Sequence, residues 1–316
     1  MNEELVRMCM DFTEYEIILK KVFRWSGYSQ VFPVAAYICL NHRDEPNEEL
    51  LELCNQILKD NSGYFSYFRG NGKVVFAAML STDIDPGARM ERAAIAYDEL
   101  RGYFPSSSYL PLLALIIAKN AKVEEYRAIA DRTRMIYDAM NERHAFLTSQ
   151  EDSVFAGLIA LQKKDIGDTI GEIETIYTWL NQEYSFHRNA KQTLSHALAL
   201  CSGRWEDKCL NLKRLCNALS AEDIKYSRDF ALVPLAVLAN TGIDTQHLIE
   251  DLLAVDEYLS DQEGYGMLGF SRRKRIMHAA MITAAYHMTG SYELSCAVII
   301  GELLEIAAQQ AAAAAA

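Results

Sequence analysis

Short apolar runs rich in alanine recur along this chain. "VAAYIC" begins at Val34, "FAAMLS" at Phe76, "LALIIA" at Leu113, "FAGLIAL" at Phe155, "LSHALAL" at Leu194, "LVPLAVL" at Leu232 and "MHAAMIT" at Met277. Successive starts differ by 42, 37, 42, 39, 38 and 45 residues. A second apolar column runs between them, through Tyr97/Leu100, Tyr137/Met140, Tyr177/Leu180, Cys216/Leu219, Asp256/Leu259 and Cys296/Ile299. Two interleaved columns with one period predict a tandem unit, and a period near 40 belongs to helical hairpins.

Each unit therefore holds two helices. The first, A, is apolar on nearly every side, so it is predicted to be buried. The second, B, is amphipathic: "RMERAAIAYDELRG" and "IGEIETIYTWLNQE" place apolar residues at i, i+3, i+4 and i+7. Asp85-Pro86 reads as a cap followed by proline at the first helical position, and Thr148/Glu151 and Thr169/Glu172 have capping-box spacing. No stretch alternates over a strand's length. The pattern predicts one all-α repeat domain over 1–316: an N-terminal helix within 1–23, seven hairpins over 24–305, and an alanine-rich, low-complexity tail at 306–316. Such hairpins stack either as an open α/α superhelix or as a closed toroid of inner A helices.

The connection into each A helix carries an aromatic residue, as in "YFSYFRGNGK", "YFPSSSYLPL", "FLTSQEDSV" and "FSRRKRI". A ring at a recurrent turn is expected to wedge between successive hairpins. In "RGNGK" the glycines are two apart and Val74 follows Lys73, so this is no phosphate loop. Gly70 and Gly72 are expected to supply the positive φ of a turn.

Charge changes the picture at these connections. The chain of 316 residues carries a formal charge of −12, yet its seven connections sum to +8, leaving −20 for the remainder. If equivalent connections emerge on one edge, an acidic protein presents one basic rim. Its candidate ligand-binding residues are Arg69, Lys73, His187, Arg188, Lys191, Arg228, Arg272, Arg273 and Arg275. "SRRKR" places four cations in a first turn behind a candidate cap, Ser271, where free backbone N–H groups also favour an anion.

Other chemistry is sparsely marked. Glu151, Asp152 and Asp229 are carboxylates in connections, and in a toroid they, with His187, His196 or His278, would be the pair to test for hydrolysis of an anionic or carbohydrate substrate. No His-x3-His or His-Glu-x2-His spacing occurs, so no metal or other cofactor is expected. Seven scattered cysteines without a Cys-x-x-Cys read as reduced, buried thiols. The acidic balance argues against nucleic acid and anionic membranes as partners. No apolar run reaches membrane-spanning length, and the polar, acidic "MNEELVRMCMDF" is unlike a signal peptide, which predicts a cytoplasmic protein.

The stretches "FRGNGKVVFAAMLS", "AFLTSQEDSVFAGLIAL" and "AAQQAA" resemble an uncharacterised family of bacterial (Firmicutes) proteins, domain of unknown function 4003, from about Tyr64 onward. The resemblance implies a cytoplasmic protein without an assigned activity and transfers no catalytic residue. Two functional expectations remain. One is a non-catalytic repeat protein that binds an anionic small molecule or acidic protein partner along the rim. The other is a hydrolase-like toroid enzyme.

Overall fold

The computed structural model describes residues 2–24, 29–41, 46–61, 66–69, 72–224, 232–266, 269–288 and 292–315. Among the described residues there are fifteen α-helices and no strand. Helix α1 (Glu3–Val22) precedes seven A/B pairs: α2 (Val31–Leu40) and α3 (Glu48–Asp60), α4 (Lys73–Ser81) and α5 (Pro86–Arg101), α6 (Leu110–Asn120) and α7 (Tyr126–Arg143), α8 (Asp152–Leu161) and α9 (Ile166–Glu183), α10 (Arg188–Leu200) and α11 (Trp205–Ala221), α12 (Leu232–Ala239) and α13 (Thr245–Ser260), α14 (Arg272–His287) and α15 (Tyr292–Ala315). Packing gathers these into two compact units, Glu14–Ile170 and Met1–Thr13 with Gly171–Ala316.

In the first unit the A helices form the core. Every residue of α2 is buried, as are Leu110 to Ala118 of α6. Small residues set the spacing: a Cβ on Gly157 of α8 would lie 2.2 Å from Leu113 Cδ1 of α6. The A helices run parallel, because their C-terminal ends are neighbours. Cys39 Sγ lies 3.7 Å from Ser81 Oγ, and Lys119 Nζ donates to the Thr82 carbonyl at 2.7 Å. The B helices run the other way, so the first half of α5 reaches the end of α6: Arg92 Nε donates to the Ala118 carbonyl at 3.4 Å.

A helix enclosed on all sides still ends in carbonyls that need donors. A small polar residue closes most A helices on their own last turn. Asn41 donates to Tyr37 O, Ser81 to Ala78 O, Asn120 to Ile116 O and Asn240 to Ala236 O, at 2.7 to 2.9 Å. Arg89 of α5 does more. Fully buried, it donates through Nη1 to Met79 O and to Thr82 Oγ1 (3.0 Å), and through Nη2 to Leu115 O (3.1 Å). One guanidinium thus joins the ends of α4 and α6, where the helix dipoles are negative.

In the second unit α11 and α13 keep the outer role. Asn211 Nδ2 lies 3.4 Å from Asn240 Oδ1 at the end of α12, and His287, the last residue of α14, lies 2.9 Å from Asp251 of α13. The final helix departs from the repeat. Ser295 to Glu302 of α15 are buried without a break, and the helix lies on α10 and α12, so close that a Cβ on Gly301 would sit 2.7 Å from Val233 Cβ. In burial α15 behaves as an inner helix.

Three local expectations need correction. Gly72 has φ −76°, in the right-handed region; its Cβ position is occupied by the Phe76 ring, 2.7 Å away, and this contact explains the glycine. Gly70 lies outside the described residues. Neither capping box forms, because both helices begin elsewhere: α8 starts at Asp152, whose carboxylate accepts from Ser149 N (2.9 Å), and α9 starts behind Asp165, which accepts from Asp168 N. Asp85 caps α5 as expected. Among the connection aromatics, Phe68 does wedge, 5.6 Å from Phe76 and 5.7 Å from Tyr97, and Phe104 lies 5.4 Å from Tyr137, but Phe146 is fully exposed.

Replacing Arg89 by methionine keeps much of the side-chain volume and removes a donor from three buried acceptors, of which Met79 O retains the Thr82 hydroxyl at 2.8 Å; each acceptor left unsatisfied costs about 1–3 kcal/mol. Urea denaturation of the Arg89→Met variant is expected to show a loss of about 3 kcal/mol, against less than 1 kcal/mol for Arg101→Met on the exposed end of the same helix.

Candidate functional site

The connections lead into A-helix N-termini, and the rim residues fall there in both units. Lys73 is the first residue of α4. The Arg69 backbone belongs to a short 3-10 turn, Ser66–Arg69; its side chain and all of Arg228 lie outside the described residues. His187 is the N-cap of α10, and Arg188 its first residue; both are exposed. Lys191, one turn on, is buried. Its Nζ donates to Asn181 Oδ1 at 2.9 Å and lies 5.7 Å from the centre of the Phe186 ring.

The start of α14 divides its four cations between interior and solvent. Ser271 is the cap, its hydroxyl accepting from Lys274 N at 3.4 Å. Lys274 turns inward and pairs with Glu302 of α15, which is fully buried. Arg275 forks onto Asp256 of α13, with Nε to Oδ1 at 2.6 Å and Nη2 to Oδ2 at 3.3 Å. Arg272 remains exposed with Nε 3.9 Å from the same carboxylate, and Arg273 is exposed without an acidic partner among the described residues. Buried charges require such pairing, because desolvation of either partner alone would be prohibitive.

Behind this turn lies a buried polar group. His278, one turn further along α14, is fully buried; its Nδ1 lies 2.8 Å from the Tyr265 hydroxyl, and its ring stands edge-on to Phe270 at 4.9 Å. Burial, with Lys274 adding to it, holds this imidazole well below the ordinary histidine value, so it is neutral at pH 7. Lys191, Gln192, Thr193, Ser195 and His196 make the first half of α10 polar and buried. Both α10 and α14 lie against α12.

Asp152 takes the Ser149 amide at the start of α8, Glu151 precedes it, and Asp229 is outside the described residues. All seven cysteines are buried thiols. Burial pushes Cys9, Cys39, Cys54 and Cys209 up to about 12, which removes thiolate character at neutral pH.

At the opposite end of α14 a cluster arises that the sequence reading missed. His247 Nε2 and His287 Nε2 both approach Asp251 Oδ2, at 3.5 and 2.9 Å. His247 and Asp251 are four residues apart on α13, hence on one face. That spacing was visible in the chain; the third member, on the next helix, was not.

A family model described as "Protein of unknown function (DUF4003)" matches residues 15–311. The chain belongs to this family. Neither a curated protein nor a solved structure matches it. Among its described residues no helix is long and apolar enough to cross a membrane. Family membership fixes the kinship of the DUF4003 chain and assigns it no chemistry.

The buried His278 generates a pH dependence of definite sign. Its folded pKa lies below the unfolded value of about 6.5. Above 6.5 the ring is neutral in both states and its contribution is complete. As pH falls below 6.5 the unfolded chain takes up a proton that the folded state refuses, so stability declines by at most about 1.4 kcal/mol per pH unit until the folded value is reached. Urea midpoints at pH 7 and pH 5 should therefore converge in His278→Asn relative to the parent.

Proposed function

We propose that this DUF4003 protein is a non-catalytic helical-repeat binder that takes an anionic small molecule or an acidic protein segment at the N-terminal ends of its inner helices. The observation that supports this reading is the division of cations at those ends. Lys191, Lys274 and Arg275 are held by Asn181, Glu302 and Asp256. Arg188 and Arg273 are exposed without acidic partners among the described residues, and Arg272 is 58% exposed beside Asp256.

Inward cations stiffen the helix starts, and outward cations stand where the first-turn amides and the positive dipole end add to their field. An arginine presents a planar donor fork that suits phosphate, sulfate or carboxylate groups. An acidic protein gains selectivity from such a place, because its other surfaces repel the same ligand.

A melting-temperature screen of the full chain against inorganic phosphate, sulfate, tripolyphosphate, nucleotides and a poly-glutamate peptide tests the reading. A ligand at a hundred times its Kd stabilises the native state by about 2.7 kcal/mol, a rise of roughly 5 °C. The shift is expected to vanish in the Arg188→Glu/Arg272→Glu/Arg273→Glu variant. A shift that survives would place the ligand elsewhere, and no shift with any of these anions would reject the reading.

A further inference from the structure

The cluster at the far end of α14 has a geometry that a histidine–carboxylate clamp does not explain. His287 and Asp251 alone would make one hydrogen bond, tying the last turn of α14 to α13. The third residue, His247, brings a second imidazole nitrogen to the same Asp251 oxygen, and the two rings stand 5.9 Å apart. One ligand atom from each residue lies within 4.8 Å of the other two.

An ion bound tetrahedrally at about 2.0–2.1 Å holds its ligand atoms about 3.4 Å apart. The separations of 2.9 and 3.5 Å straddle that value. His247 is 60% exposed, whereas Asp251 and His287 are 13% and 8% exposed and are held between α13 and α14. The cluster has two part-buried ligands and one exposed one, and solvent reaches it on the side of His247.

We propose that His247 Nε2, Asp251 Oδ2 and His287 Nε2 bind one borderline divalent cation of the zinc class, with water completing the coordination. Two imidazoles and a single carboxylate select such an ion over magnesium or calcium, which require oxygen ligands. The carboxylate contributes one negative charge and the two imidazoles bind as neutral ligands, so the occupied site carries a net charge of +1. The proton between His287 and Asp251 is displaced to the other ring nitrogen or to solvent, and the ion takes its place. The site joins α13 to α14 and is independent of the basic rim, since it lies at the C-terminal end of α14 and uses none of the rim residues.

The test uses the full chain stripped with EDTA and then dialysed free of it. Titration with zinc by calorimetry is expected to show one site per chain, and cobalt to give visible ligand-field bands. Magnesium and calcium are expected to give no heat. His247→Ala alters an exposed helical position and leaves the fold intact; it and Asp251→Asn are each expected to weaken zinc binding at least ten-fold. Three outcomes would overturn the proposal: no saturable binding up to about 100 µM zinc, undiminished affinity in His247→Ala, or a sulfur-to-cobalt charge-transfer band, which would place the ion on a cysteine.

Discussion

The molecule depends on satisfying the carbonyl ends of helices that see almost no water. An inner helix of eight to sixteen residues has four acceptors at its end without intrahelical donors, a large fraction of its backbone. Apolar packing alone would bury those acceptors at a cost of several kcal/mol per helix. The chain meets this with a polar residue at the end of the helix, Asn41, Ser81, Asn120 or Asn240, and with side chains from the outer layer such as Arg89 and Arg92. The outer helices therefore do two jobs: they cover apolar surface and they terminate their neighbours.

That second job links local chemistry to the repeat. Residues 92, 132, 211 and 251 fall at multiples of one period, with a repeat skipped between 132 and 211, and each touches the end region of the following inner helix: Arg92 at Ala118, Arg132 at Lys164, Asn211 at Asn240 and Asp251 at His287. Different residue types hold the same station. Arg92 there donates to a carbonyl of the last turn of α6 and Arg132 to Lys164 O just past α8; where the station carries aspartate it faces a histidine and gathers another. A structural position has thereby become a chemical one, without altering the fold around it.

Much of the architecture was legible because burial imposes composition. Seven alanine-rich runs announced seven inner helices, and the column through Tyr97, Tyr177, Cys216 and Leu259 marked outer-helix residues that are indeed buried. One member of that column was polar, and it carried information: Asp256 proves to be the buried anion for Arg275. The partners themselves were not legible, since Arg275 finds Asp256 19 residues earlier and Lys274 finds Glu302 28 residues later. Those pairings depend on how helices pack, which periodicity does not encode. The same holds for Gly72, whose reason is a phenyl ring above it, and for the His247, Asp251 and His287 group, only two of which share a helix. The aromatic column misled at Phe146 because recurrence in sequence does not guarantee a cavity to fill.

The misplaced last helix has a consequence for how the protein is made. Helices α10 and α12 rest their apolar and small residues against α15, yet α15 begins 92 positions after Leu200 closes α10. At synthesis rates of about 5–20 residues per second, the α10 surface waits roughly 5 to 20 s before its cover exists. The polar residues scattered through α10, among them Lys191, Gln192 and Ser195, keep their hydration during that interval and give it up once α15 packs against the helix.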